Sequence, residues 1–343
     1  MDKKKEIHTN KNINNLKKHT IMKKILFAAV AAMAITGCSQ NEEIEKAVQP
    51  VEISFNTAVS KTTRAAITDN EALQKTGFIV YAYNTSDVIT NAGTKLGDAF
   101  MDSVKVNYSS GWAVDGTYYW PYAGKVQFFA YAQDAGVADY KIGADGQYPT
   151  LQYTIQKDAT AQKDFVVAKM TDQEKTESAI KFIFSHALTQ VNFSVKGADA
   201  LTYKVTSIGI EGVANTGTYS FKDNTWTATG TAGSYSYPIA SDAVVTGETA
   251  VPLDQTDGAL MLMPQTMSST ANIKLSYDVY KGNVQIDAVT NTTISLENTA
   301  AWEVGKKVRY TLTLSNTAAT VEFVTEVGKW NTNDDTPVTP PAK

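Results

Sequence analysis

The 343-residue sequence holds a single cysteine, Cys38. An internal disulfide is therefore excluded, and so is a thiolate metal site. Histidine is nearly as scarce: His8 and His19 precede Cys38, and only His186 follows it. A Ser-His-Asp or Cys-His arrangement beyond Cys38 would have to use His186. It stands in Phe184-Ser185-His186-Ala187-Leu188, between two strand-like runs, where a structural histidine is the expectation. A His-rich metal site is excluded by the same inventory. Neither GxGxxG nor GxxxxGK[ST] is present to cradle a phosphate. Asp334-Asp335 lacks the ligand spacing of an EF-hand. Carboxylate pairs for glycoside hydrolysis carry no signal, because among so many acids some pair always looks plausible. No cofactor and no enzymatic activity is expected. Ile25–Ile35 is too short an apolar run to span about 30 Å of hydrocarbon, and no long stretch holds a helical period.

What the first 50 residues do contain is an export pattern. Met22-Lys23-Lys24 is a short basic region, Ile25–Ile35 is apolar, and Ile35-Thr36-Gly37-Cys38 follows. This reads as a secretory signal peptide starting at Met22, with residues 1–21 an upstream extension. Its last four residues resemble the lipobox of bacterial lipoproteins. That resemblance implies cleavage before Cys38 and acylation of Cys38 by fatty acids such as palmitate, and two acyl chains anchor stably. Residues 38–50 then form a tether whose Glu42, Glu43 and Glu45 resemble the acidic export signal of surface lipoproteins in Gram-negative anaerobes; a merely solvated linker is the alternative. Eight lysines and two acids precede Cys38, which leaves 23 basic and 33 acidic residues from there on. A net charge of about −10 disfavours nucleic acid, whose phosphates need clustered Lys and Arg.

From Val51 onwards the period is two. Val51, Ile53 and Phe55 alternate with Glu52 and Ser54; Ile180, Phe182 and Phe184 with Lys181 and Ser185. Val104–Tyr108, Leu151–Ile155, Val191–Val195, Ile273–Val279 and Val308–Leu314 repeat the pattern. Denser runs, Phe78–Tyr83 and Ala259–Met263, suit strands buried on both faces. Ser110-Gly111, Asp115-Gly116, Asp145-Gly146, Asp257-Gly258 and Gly282-Asn283 are turn signals, and Glu71–Lys75 suits one turn of helix. Many short one-faced strands predict an all-β fold of two antiparallel sandwiches in tandem. The expected N-terminal sandwich is 51–170 and the C-terminal one 179–335, divided at the polar stretch Thr171–Ser178, with a Pro-rich tail at 336–343.

Trp112, Tyr118, Tyr119, Trp120 and Tyr122 form an aromatic cluster. Exposed, Trp112, Tyr119 and Trp120 could stack on sugars; buried, they are core.

Several segments in order resemble the fimbrillin-like family of surface lipoproteins. They are Thr117-Tyr118-Tyr119-Trp120-Pro121 with Val126–Tyr131; Asp164–Ala168 with Lys181–Leu188; Leu262-Met263-Pro264-Gln265; and Trp302–Lys306 with Tyr310-Thr311-Leu312 and the late Trp330. The resemblance implies two transthyretin-like sandwiches and a place in type V pili on the outer membrane. In such pilins a protease cuts after an N-terminal arginine, and a neighbouring subunit's strand fills the groove left behind. Here the matching bond is Arg64-Ala65, just after the strand expected at Val51–Phe55. The implied partners are other pilus subunits, the membrane through the lipid, and a host or bacterial surface ligand. The prolines at 337, 340 and 341 fit poorly with a donor strand, so a tip, anchor or accessory role fits as well as a stalk. A cell-surface glycan-binding lipoprotein is the alternative reading.

Overall fold

The computed structural model describes residues 49–59, 69–132, 139–198, 200–239, 243–254, 259–316 and 322–329. Along these run β1 (Phe55–Val59), α1 (Asn70–Thr76), β2 (Phe78–Thr85), β3 (Met101–Tyr108), β4 (Trp112–Val114), β5 (Lys125–Ala132), β6 (Asp139–Ile142), β7 (Pro149–Thr154), β8 (Val166–Gln173), β9 (Ile180–His186), β10 (Thr189–Gly197), β11 (Thr202–Ser220), β12 (Thr225–Ser236), β13 (Val244–Thr246), β14 (Val251–Pro252), β15 (Leu260–Leu262), β16 (Asn272–Lys281), β17 (Val284–Ser295), β18 (Lys306–Leu314) and β19 (Glu322–Lys329). The expected all-β fold is therefore the observed one. The expected turn of helix is α1, capped by Asp69, whose carboxylate accepts from Ala72 N at 2.8 Å, and ended at Gly77 with φ 75°.

The first sheet has the order β1-β9-β8-β5-β2-β3-β4. It rolls until its two end strands, β1 and β4, lie in contact. Inside the roll sit Phe55, Phe78, Phe128, Phe182 and Phe184, with Trp112 and Trp120 packed edge-on against Phe78 and Phe128. The outer face of β2 and β5 is covered as well. Tyr81 stacks on Tyr140 of β6 at 3.6 Å, and Phe129 packs on Tyr148 and Phe221. Burial on both faces is what the unbroken apolar run Phe78–Tyr83 leads one to expect.

The second body joins a five-stranded sheet (β14-β10-β18-β19, with β15 on β10) to a seven-stranded one (β17-β16-β11-β7-β6, with β12 and β13 on β11). Phe193 of β10 meets Tyr237 at 5.0 Å across the two sheets. Met263, just past β15, lies over Gly217 of β11, where a Cβ would come within 2.8 Å of its sulfur. β11 bends at Gly212, which has φ 75° and no room for a Cβ beside Thr270 O.

Three differences from the sequence reading have physical causes. Most pairs are antiparallel, but β1–β9 and β10–β18 are parallel, because long crossovers join them. The expected boundary at Thr171–Ser178 joins β8 to β9, which pair at Val166–His186 and Val167–Ser185 in one sheet, so the chain changes sheets between β9 and β10. β6 and β7, expected in the first sandwich, hydrogen-bond in the second body's sheet, because β11 is 19 residues long and extends far enough to pair with β7.

Candidate functional site

The first sheet ends in an edge built from residues 51–59. Val51 and Ile53 do not continue a strand with Phe55, as the alternation suggests. They bridge to the loop before β5 instead: Ile53 N donates to Tyr118 O at 2.8 Å and Trp120 N to Val51 O at 2.9 Å. The strand proper begins at Phe55 and runs parallel to β9, pairing Phe55 with Ile180 through to Val59 with Phe184. Phe55 enters the aromatic core, stacked on Phe182 at 5.4 Å and edge-on to Phe78 and Phe128. Asn70, the first residue of α1, holds the far end by accepting from Val59 N at 2.6 Å. The local signal for that contact is the Asp69-Asn70 pair ahead of the helical turn, which reads as a cap.

β9 depends on this edge. Its pairing with β8 is confined to His186 and Ser185, so Ile180–Phe184 find their strand partner in β1. Alternate β9 residues face opposite ways: Phe182 and Phe184 are buried, while Lys181, Ile183 and Ser185 face outward. A chain lacking β1 would leave a row of backbone groups on β9 unpaired beside an open aromatic slot, which is costly unless another strand takes the place.

His186 closes the other end of β9. Its Nδ1 lies 2.6 Å from Asp164 Oδ2, both side chains buried. The two ends of the Asp164–Ala168 and Lys181–Leu188 segments thus meet as one buried pair. Ser185, next in sequence, points to the opposite face, so it forms no relay with this pair. Sequence reasoning missed a second fastening. Arg309 of β18 grips Asp254 with two parallel bonds, 2.9 and 2.5 Å, and also donates to Phe193 O and Ser194 Oγ on β10. Tyr237 adds a 3.0 Å bond to Asp254, and burial pushes its phenol well above the usual range.

Of the residues singled out from sequence, Cys38, Arg64 and Ala65 lie outside the described residues. The three sugar-stacking aromatics are not gathered on one open face. Trp120 is buried in the first core, Trp112 is half-buried against Phe78 and Tyr108, and Tyr119 is exposed.

A family model described as fimbrillin-like matches residues 63–330. The fimbrium subunit Fim1C of Phocaeicola vulgatus is 25% identical over an alignment of 376 positions, covering 92% of this chain and 98% of that one. A crystal structure of a fimbrial protein from Bacteroides vulgatus aligns with a TM-score of 0.63 at 21% identity, over 82% of this chain and 100% of that one. A candidate cell adhesion protein from Bacteroides uniformis aligns at 0.50 and 18% identity, over 82% and 99%. At such identities the two structures bear on the fold alone.

Proposed function

The chain belongs to the fimbrillin-like family, and on that premise we propose that it is a structural, adhesive subunit of a cell-surface fimbria that assembles by strand exchange at the β1 edge. The observation that carries this reading is the dependence of β9 on β1: five residue pairs of one short edge strand fill the aromatic slot and satisfy the backbone of Ile180–Phe184. In the intact chain this edge is closed and unreactive. Cleavage at Arg64-Ala65, a few residues past Val59, would leave β1 held noncovalently. A strand from a neighbouring subunit would then replace it by addition to the β9 edge. Acylation of Cys38 would tether the protein to the outer membrane with the fimbria at the cell surface, and the adhesive role calls for a host or bacterial surface ligand. The prolines at 337, 340 and 341 suit a tip, anchor or accessory position as well as a stalk.

The test treats purified protein with an arginine-specific protease in the presence of its partner subunits. A fragment beginning at Ala65, together with multimers that survive SDS until heated, is the expected outcome. Resistance of Arg64 in the folded protein, or cleavage that yields only monomers, refutes strand exchange. The anchor is tested separately: Cys38→Ala should free the protein from membranes or leave it unprocessed, and unchanged anchoring and processing would refute it.

A further inference from the structure

The second body contains a cleft of about 810 Å³ that the strand-exchange reading does not use. Ligand sites typically measure about 300–1,000 Å³. The cleft lies between the face of β12 and the chain segments that follow β15 and precede β18. β11 bends behind it, with Gly212 and Ala214 of its two irregularities in the lining, and bulges are common beside functional sites. The wall opposite β12 is fastened to that bend. Gln265 Oε1 accepts from Ala214 N at 2.8 Å, its Nε2 donates to Met263 O at 2.9 Å, and Thr270 Oγ1 donates to Gly212 O at 2.9 Å. Trp302 N donates to Gln265 O at 2.9 Å, which ties the segment before β18 to the same wall. The cleft is shaped before anything binds, and preorganisation of that kind lowers the ordering cost of a ligand.

The lining chemistry narrows the ligand. Glu303 is the only charged residue in it. With no cationic side chain, a phosphate, sulfate or carboxylate finds no counter-charge there, and one carboxylate is too few for a hard cation. An apolar ligand is disfavoured too, because it would cover the polar groups at 224, 225 and 266 without bonding them. A neutral polyhydroxyl ligand meets all three conditions. Trp226 supplies a half-buried ring whose orientation is set: its Nε1 donates to Ala187 O at 2.6 Å, and it packs edge-on to Tyr219 at 5.4 Å. Ala228 and Gly230 follow at alternate positions of β12 and leave room beside the ring for the C–H face of a sugar. Donors and acceptors stand around it. The exposed hydroxyls of Thr225 and Thr266 have no protein partner among the described residues. Asn224 accepts from Tyr219 Oη at 3.3 Å through Oδ1, which leaves its Nδ2 to donate. The Glu303 carboxylate is exposed and reaches Lys306 only at 3.8 Å, so it can accept from a sugar hydroxyl.

We propose that this cleft binds a neutral oligosaccharide, with one sugar ring stacked on Trp226 and its hydroxyls bonded to Asn224, Thr225, Thr266 and Glu303. The site gives the adhesive role a ligand of defined class. It rests on the adhesive half of the proposed function and not on strand exchange, since it belongs to the second body and the β1 edge to the first sheet. The uncleaved monomer should therefore already bind sugar.

The test places the full-length, uncleaved protein on an array of neutral and acidic oligosaccharides, followed by titration calorimetry with the strongest neutral binder. Binding to neutral oligosaccharides is expected. Ala228→Arg fills the cleft from an exposed position and should weaken that binding at least about tenfold. Thr266→Ala and Glu303→Ala each remove one polar contact at an exposed residue and should weaken it about threefold to tenfold. Tyr119→Ala and Tyr122→Ala, at exposed aromatics of the first body, should leave it unchanged. Circular dichroism and Tm confirm that each variant folds, and the Thr266→Ala, Glu303→Ala double variant decides the matter should Ala228→Arg unfold. Three results overturn the proposal: binding to acidic oligosaccharides alone or to none, affinity unmoved by the folded cleft variants, and binding lost in Tyr119→Ala or Tyr122→Ala, which would assign the sugar to the first body. The protein is neither cleaved nor mixed with partner subunits, so each of these leaves strand exchange standing.

Discussion

The β1–β9 and β10–β18 pairs are both parallel and both apolar on their inward faces, yet they are held in different ways. The first has five residue pairs and forms the end of its sheet. The second has eight, with β14 and β15 beyond β10 and β19 beyond β18. The Asp254–Arg309 pair and Tyr237 tie β10, β18 and the end of β14 together. Among the described contacts, β1 is held by its pairing with β9, by Phe55 and Val59 in the core, by its approach to β4 and by the bond from Val59 N to Asn70. Pairing mode therefore does not decide whether a strand can leave. On the proposed reading, what decides it is how many neighbours and polar fastenings a strand has, and that reading makes parallel pairing at the sheet edge replaceable where the same pairing mid-sheet is not.

Substitutions at matched positions sharpen the contrast. The largest effect is expected from Phe193→Ala in the locked pair, about 3–5 kcal/mol off global stability by urea denaturation, because its cavity lies between Tyr237 and Tyr310. A loss under about 1 kcal/mol would place Phe193 outside a tightly packed core. Asp254→Ala should cost about 2 kcal/mol by the same measurement, since Arg309 loses its bidentate partner while keeping access to water. Asp254→Asn, which keeps the shape, should cost less. Phe55→Ala should act locally. Amide exchange at Phe55–Val59 and Ile180–Phe184 should rise about 10- to 100-fold while Val191–Val195 stays protected. Equal acceleration at both places would erase the distinction between the pairs.

A further effect is one of pH, and both bodies share it. Burial raises the phenol of Tyr131 in the first body and those of Tyr235, to about 12, and Tyr237 in the second. The native state keeps protons there that the unfolded chain releases near pH 10. The stabilisation is whole below about pH 10 and is lost as pH climbs through the native values. Denaturation midpoints should be flat from pH 8 to 10 on this account and fall above it, with tyrosinate absorbance rising later in native than in unfolded protein. A fall that starts well below pH 10 would point to another group.

The strands legible in the sequence were those with one clean buried face. Ile180, Phe182 and Phe184 recur at every second residue and the structure buries all three, while the apolar Ile183 between them faces outward. Phe78–Tyr83 announced burial on both sides by its density. β11 was hidden because the irregularities at Glu211–Val213 and Ala214–Thr216 break the period of two. β12 was hidden because its threonines, alanines and glycines carry almost no apolar signal. The start of β1 was placed four residues early, since Val51 and Ile53 alternate perfectly but pair with Tyr118 and Trp120. Of the site, the resemblance pointed to the region around residue 55, whereas the parallel register on β9, more than a hundred residues away, left no trace in local pattern. Asp254–Arg309 was equally unreadable, because one acid among many carries no mark of its partner.

The most direct test of the account locks β1 to β9. Ala58 and Ile183 are register partners, and Ile183 faces outward. In a Cys38→Ser background, Ala58→Cys with Ile183→Cys creates the chain's only thiol pair. After cleavage by the arginine-specific protease, the oxidised protein should stay monomeric with its partner subunits, and reductant should restore multimers that resist SDS until heated. Multimers forming equally well with the disulfide closed would contradict the claim that β1 is the strand that leaves.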